Sequence, residues 1–179
     1  MSVTIPLLSL ALLASIGSDP YHLTRPSKIK HVKMIVEYAE THNHDAYELL
    51  AIAITESNLR PKVVSWAGAV GLFQVMCKYW YEPLKYKTIK QCNNSLLDPY
   101  KNMEAGVHVL TTYRKQYKHC EGDLAYRCYY AGGGWIRRKG NLIAKINRYE
   151  KKVRKTREYL HTYYKDFIED IRSDIKERS

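Results

Sequence analysis

The chain has 179 residues, enough for one domain with a substantial core. Its composition, 45% hydrophobic and 26% charged, is that of a globular protein and excludes a disordered or fibrous polymer. A net charge of +11 points to an anionic partner: nucleic acid, acidic lipid, or the anionic polymers of a bacterial envelope.

The first element is an apolar run, residues 5–16, of only 12 residues, too short to span a bilayer. It has the length of a signal-peptide core, and Ser15, Ile16 and Gly17 offer small residues for cleavage, but no basic residue precedes it. Residues 1–26 are therefore read as an export signal or as an N-terminal helix packed on the core. Ser27 is placed to cap a helix whose apolar positions Val32, Ile35, Val36 and Ala39 follow helical spacing. Asp45 with Glu48 predicts a capping box opening a second helix, "AYELLAIAITES".

Pro61 and the glycines of "AGAVG" (67–71) break the helical pattern, and "GLFQVM" (71–76) offers one short strand. Asp98-Pro99 predicts an N-cap with proline in the first helical position. Asp123 begins a shorter helix that "GGG" (132–134) stops, and helical pattern resumes from Asn141 to the end. The expectation is a mainly α single domain over residues 27–160, with at most a very small β element. Residues 161–179 are expected to form a charged helical tail with a solvated face.

The four cysteines, Cys77, Cys92, Cys120 and Cys128, include no C-x-x-C pair and no zinc-like spacing with histidine. Export would permit one or two disulfides; otherwise they are small core residues, the reading preferred for Cys128. Residues 136–157 carry ten Lys or Arg against a single acid, Glu150. That excess predicts association with an anionic wall polymer or membrane surface.

One acid stands apart. Glu56 is followed by 25 residues, Ser57 to Tyr81, that contain no Asp or Glu. On a helix, Leu49, Ile52 and Ala53 fall within about 60° of it, and the opposite face is apolar too. A helix apolar on every side is buried. Glu56 therefore emerges from a core helix at its C-terminal end. Desolvation and the helix dipole both raise its pKa, as a general acid near neutral pH requires.

The residues around it form a pattern. Glu56-Ser57, Pro61, Ser65, "AGAVG" (67–71), "LFQ" (72–74) and Met76 closely resemble the signature of the lytic transglycosylases (SLT domain) of the goose-type lysozyme-like superfamily. Phe73 stands for the usual Met, and Cys77 for a frequent proline. "LLDPYKNMEAG" (96–106) and "CYYAGGG" (128–134) are similar to two further motifs of the family; in the latter Tyr129 matches the tyrosine, whereas Tyr130 replaces an asparagine. The resemblance covers roughly residues 45–150.

It implies a lysozyme-like fold and cleavage of peptidoglycan glycan strands between N-acetylmuramic acid and N-acetylglucosamine, without metal or cofactor. One Glu protonates the glycosidic oxygen and then, as base, frees the sugar's own C6 hydroxyl to close a 1,6-anhydro ring. No water is activated, so the usual second carboxylate is not needed. Glu56 takes that role. Ser65, Gln74, Met76, Tyr129 and Tyr149 become substrate-side residues, and the Tyr129 hydroxyl is a candidate to position Glu56. "YWY" (79–81) and Trp135 serve either as sugar platforms or as core. The resemblance further implies the periplasm or cell envelope, reached by export or by delivery from a phage particle or lysis system. Small size and the basic tail favour the phage setting, and no nucleic-acid partner is expected. The alternatives are a hydrolytic muramidase on the same fold and a non-catalytic basic envelope or nucleic-acid binder.

Overall fold

The computed structural model describes residues 20–178. The apolar run 5–16 and its candidate cleavage site lie outside the described residues. Eight α-helices follow one another within them: α1 (Pro26–Thr41), α2 (Ala46–Ser57), α3 (Cys77–Trp80), α4 (Ile89–Ser95), α5 (Pro99–Gln116), α6 (Ala125–Ala131), α7 (Asn141–Tyr163) and α8 (Lys165–Lys176). Three 3₁₀ turns, Lys118–Cys120, Gly122–Leu124 and Trp135–Arg137, connect the later ones. None of these helices is long and apolar enough to cross a membrane.

The mainly α expectation holds. In place of a strand at 71–76 there are two isolated antiparallel bridges, Val64 to Val70 and Val70 to Val75. The backbone explains why: Gly71 (φ +78°) and Gln74 (φ +47°) both sit in the left-handed region and turn the chain back on itself.

Helix α2 is the axis of the core. Every residue from Ala46 to Ile54 is buried, and the helix packs against α7 and α1. Asp45 caps it, accepting from the backbone N–H groups of Tyr47 (2.8 Å) and Glu48 (3.3 Å). The reciprocal half of the expected capping box is not made. Glu48 instead accepts a two-pronged bond from Arg114 (2.6 and 2.9 Å) and the Tyr126 hydroxyl (2.8 Å). A bidentate guanidinium is a stronger partner than one backbone N–H.

Helix α1 starts two residues earlier than a Ser27 cap predicts. Pro26 occupies the first turn, where its missing N–H costs nothing, and Arg25 flanks it without a side-chain cap. Asp98 and Pro99 open α5 as expected, with Asp98 accepting from the Lys101 N–H at 2.9 Å. Gly132 (φ +78°) ends α6.

The cysteines are paired, Cys77 with Cys92 and Cys120 with Cys128. Cys128 is buried, but as half of a disulfide rather than as a free core residue. The last helix is not simply a solvated rod. Residue 161 lies inside α7, and α8 returns against α1, burying Phe167, Ile168 and Ile171 in the common core.

Candidate active site

The segment between α2 and α3 forms one wall of a cleft and is fastened from several sides. Asn58 (φ 54°) ends α2 in the left-handed conformation. The Ser57 hydroxyl, buried, donates to the Leu72 carbonyl at 2.8 Å. Asn102, fully buried on α5, accepts from the Phe73 N–H (2.7 Å) and donates to the carbonyls of Val70 (2.8 Å) and Leu96 (3.0 Å). Two glycines permit this closeness. A Cβ on Gly71 would lie 2.7 Å from the Leu96 carbonyl, and one on Gly106 would lie 2.5 Å from Phe73.

The cleft encloses about 730 Å³. Glu56 lines it, and among the described residues no other Asp or Glu does. Asp98 is occupied as the cap of α5. Glu56 is half-buried, and the Tyr149 hydroxyl donates to its Oε1 at 2.5 Å. Burial raises its pKa from 4.5 to about 7, opposed by the tyrosine hydrogen bond and by the charge of Lys152. At neutral pH the group is poised between acid and base. Burial, with the Glu56 charge second, pushes the Tyr129 and Tyr149 hydroxyls well above their ordinary range, so both remain proton donors in their hydrogen bonds.

Of the residues singled out in the sequence, Ser65, Gln74, Met76 and Tyr129 line the cleft with Glu56. Ser65 and Gln74 shape the wall as well as face it. The Ser65 hydroxyl accepts from the Ala69 N–H (2.9 Å), and the Gln74 amide nitrogen donates to the carbonyls of Val63 (3.0 Å) and Gly71 (2.9 Å). This leaves the Gln74 amide oxygen as its available end. The Tyr129 hydroxyl donates to the Phe73 carbonyl at 2.7 Å rather than to Glu56. The tyrosine on the acid is Tyr149, which is nine-tenths buried and lies behind the cleft surface.

Tyr79 and Trp80 also line the cleft, whereas Trp135 is buried under the Arg127 guanidinium, 4.9 Å from its ring. The sequence reading missed Tyr113, Tyr130 and Arg138 as cleft residues. For Tyr113 a signal existed: with Val109 it forms an i,i+4 pair on α5, the spacing of a common face. His119, Cys120 and Cys128 gather within 4.8 Å, but the two sulfurs are bonded to each other and are not thiolate ligands. Lys145, Arg148, Lys151, Lys152 and Lys155 are exposed on α7, while Glu150 meets Arg127 (3.4 Å) and Arg154 (3.5 Å).

The fold is similar to that of the 70 kDa soluble lytic transglycosylase of Escherichia coli, with a TM-score of 0.60 at 22% identity. The match covers 88% of this chain but only 28% of that enzyme. No curated protein sequence matches the chain. The family model for the transglycosylase SLT domain matches residues 33–154, which contain Glu56, the fastened wall and both disulfides. The chain therefore belongs to the transglycosylase SLT-domain family.

Proposed function

We propose that the protein is a peptidoglycan lytic transglycosylase that cleaves the bond between N-acetylmuramic acid and N-acetylglucosamine. One observation carries this reading: among the described residues the cleft holds a single carboxylate, desolvated until its pKa is about 7. Neutral Glu56 donates its proton to the glycosidic oxygen as the C1–O bond breaks. The resulting carboxylate removes the proton of the C6 hydroxyl, whose oxygen bonds to C1 and closes the 1,6-anhydro ring. Glu56 ends protonated, ready for the next cycle, and no water is consumed. Tyr149 steadies the carboxylate by its hydrogen bond and keeps the proton-accepting form accessible. A hydrolase would need a group to activate water, and among the described residues the cleft offers no second acid for it.

Two disulfides suit an oxidising compartment and support action at the cell envelope. The exposed lysines of α7 supply a positive face toward anionic wall polymer. Mass spectrometry of digested sacculi tests the chemistry: the released muropeptides should carry 1,6-anhydro ends, one water lighter than reducing ends. Reducing ends alone would make the protein a muramidase. In the same preparation, sedimentation with sacculi at low salt should weaken when Lys151, Lys152 and Lys155 become Gln; unchanged sedimentation would remove α7 from the wall contact.

A further inference from the structure

Five aromatic side chains line the cleft, and most have their surfaces committed. Trp80 packs edge-on against Tyr113 (5.4 Å, 85°) and His108 (6.1 Å, 88°). Tyr129 is tied by its hydroxyl to the loop. Tyr79 is open to solvent, with the Lys78 ammonium 5.5 Å from its ring. Tyr130 differs from all of them. One face stacks on Tyr149 (4.8 Å between ring centres, 26° between planes), while 44% of the residue remains exposed and lines the cleft. Tyr149 in turn donates to Glu56. Tyr130 is thus one ring removed from the reacting acid, held flat by a buried partner, with its remaining surface toward the space a substrate occupies.

The geometry points to Tyr130 as a sugar-stacking platform that seats an N-acetylhexosamine ring beside Glu56. The inference rests on the glycan-cleaving reading of the cleft. A pyranose ring presents axial C–H groups on one face, and their positive edge complements the negative face of a phenol ring. A ring held on a buried neighbour also loses little freedom on binding, so the contact is not offset by ordering. This position carries an asparagine in the motif the chain otherwise resembles. A ring replaces an amide here, so the contact recognises the flat face of the sugar and not its hydrogen-bonding substituents.

Calorimetric titration with the tetramer of N-acetylglucosamine tests this, in a Glu56→Gln background so that turnover does not interfere. Adding Tyr130→Leu or Tyr130→Asn should weaken binding roughly three- to tenfold, while Tyr130→Phe should leave it unchanged. With Glu56 intact, Tyr130→Leu should raise KM on sacculi without altering kcat or the pH profile. Binding that is equal in the parent, Leu and Asn proteins would overturn the platform and leave the proposed activity standing. So would a fall in kcat with a displaced pH profile at constant KM, which would mean that Tyr130 acts only through Tyr149. A parent that neither binds the tetramer nor cleaves sacculi would overturn both. Tyr130 lies at the surface, and a circular-dichroism melt of each variant confirms that the fold is kept.

Discussion

Helix α2 carries two glutamates, eight residues and about two turns apart, and they live in opposite circumstances. Glu48, at the first turn, is buried, yet both its oxygens are bonded by the Arg114 guanidinium and one also by Tyr126. Glu56, in the last turn, is buried on one side, meets a cleft on the other, and has a single neutral donor, Tyr149. The first sits at the positive end of the helix dipole and the second near its negative end. Glu48 is thus taken up by its ion pair, with both oxygens bonded. Glu56, with no salt bridge among the described residues, is the acid proposed to move a proton. Burial withdraws both acids from water, and the Arg114 guanidinium answers the charge of Glu48 alone.

Exchanging each carboxylate for its amide tests this contrast, and the largest effect is expected at Glu56. Glu56→Gln keeps the side-chain shape and removes proton transfer, so sacculus cleavage should fall by at least ~10²–10⁴-fold with the fold retained. Full activity in this variant would falsify the role assigned to Glu56.

The next effect is on stability and has a defined pH window. The folded pKa of Glu56 is raised from 4.5 to about 7, so the folded state holds a proton that the unfolded chain has released. The stabilisation this gives is complete below pH 4.5 and disappears as the pH rises through 7. Compared with the parent, Glu56→Gln should gain stability across that window and keep roughly 2–3 kcal/mol above it. Denaturant midpoints of the two proteins at pH 4 and pH 8 measure this, and a constant difference would mean that the acid is not desolvated.

The smallest expected change, and the opposite in sign, is at the other end of the helix. Glu48→Gln leaves Arg114, with 30% of its side chain exposed, without its counter-charge. Stability at neutral pH should fall by on the order of 2 kcal/mol, less than for a fully buried pair. Activity per folded molecule should be unaffected. A variant as stable as the parent would show that the pair contributes specificity of packing only.

Which parts of this were legible in the sequence follows the range of the interactions. Local signals gave the caps at Asp45 and Asp98-Pro99 and the stop at Gly132, because each is decided within a few residues. The burial of α2 and the emergence of Glu56 from it were equally local, a matter of apolar residues on all faces. Glu48 misled because its partner, Arg114, is 66 residues away and outcompetes the nearby backbone N–H. The same limit applied to the tyrosines. The motif marked both Tyr129 and Tyr149, but only the packing of α7 on α2 brings the Tyr149 hydroxyl to the acid, while that of Tyr129 meets a carbonyl. Tyr130 was noticed as a departure from the motif, yet its place above Tyr149 needed the helices to be assembled.

The Asn102 side chain joins α5, the loop and the approach to α5 through three buried hydrogen bonds. Freeing the loop would break the bonds of Asn102 to the Phe73 N–H and the Val70 carbonyl, and each polar group left unpaired in the interior costs about 1–3 kcal/mol. This wall of the cleft is therefore shaped before any ligand arrives. A glycan strand of the kind proposed would surrender its own flexibility there but ask for little from this wall, so discrimination would rest on fit to a preformed surface rather than on closure around whatever enters.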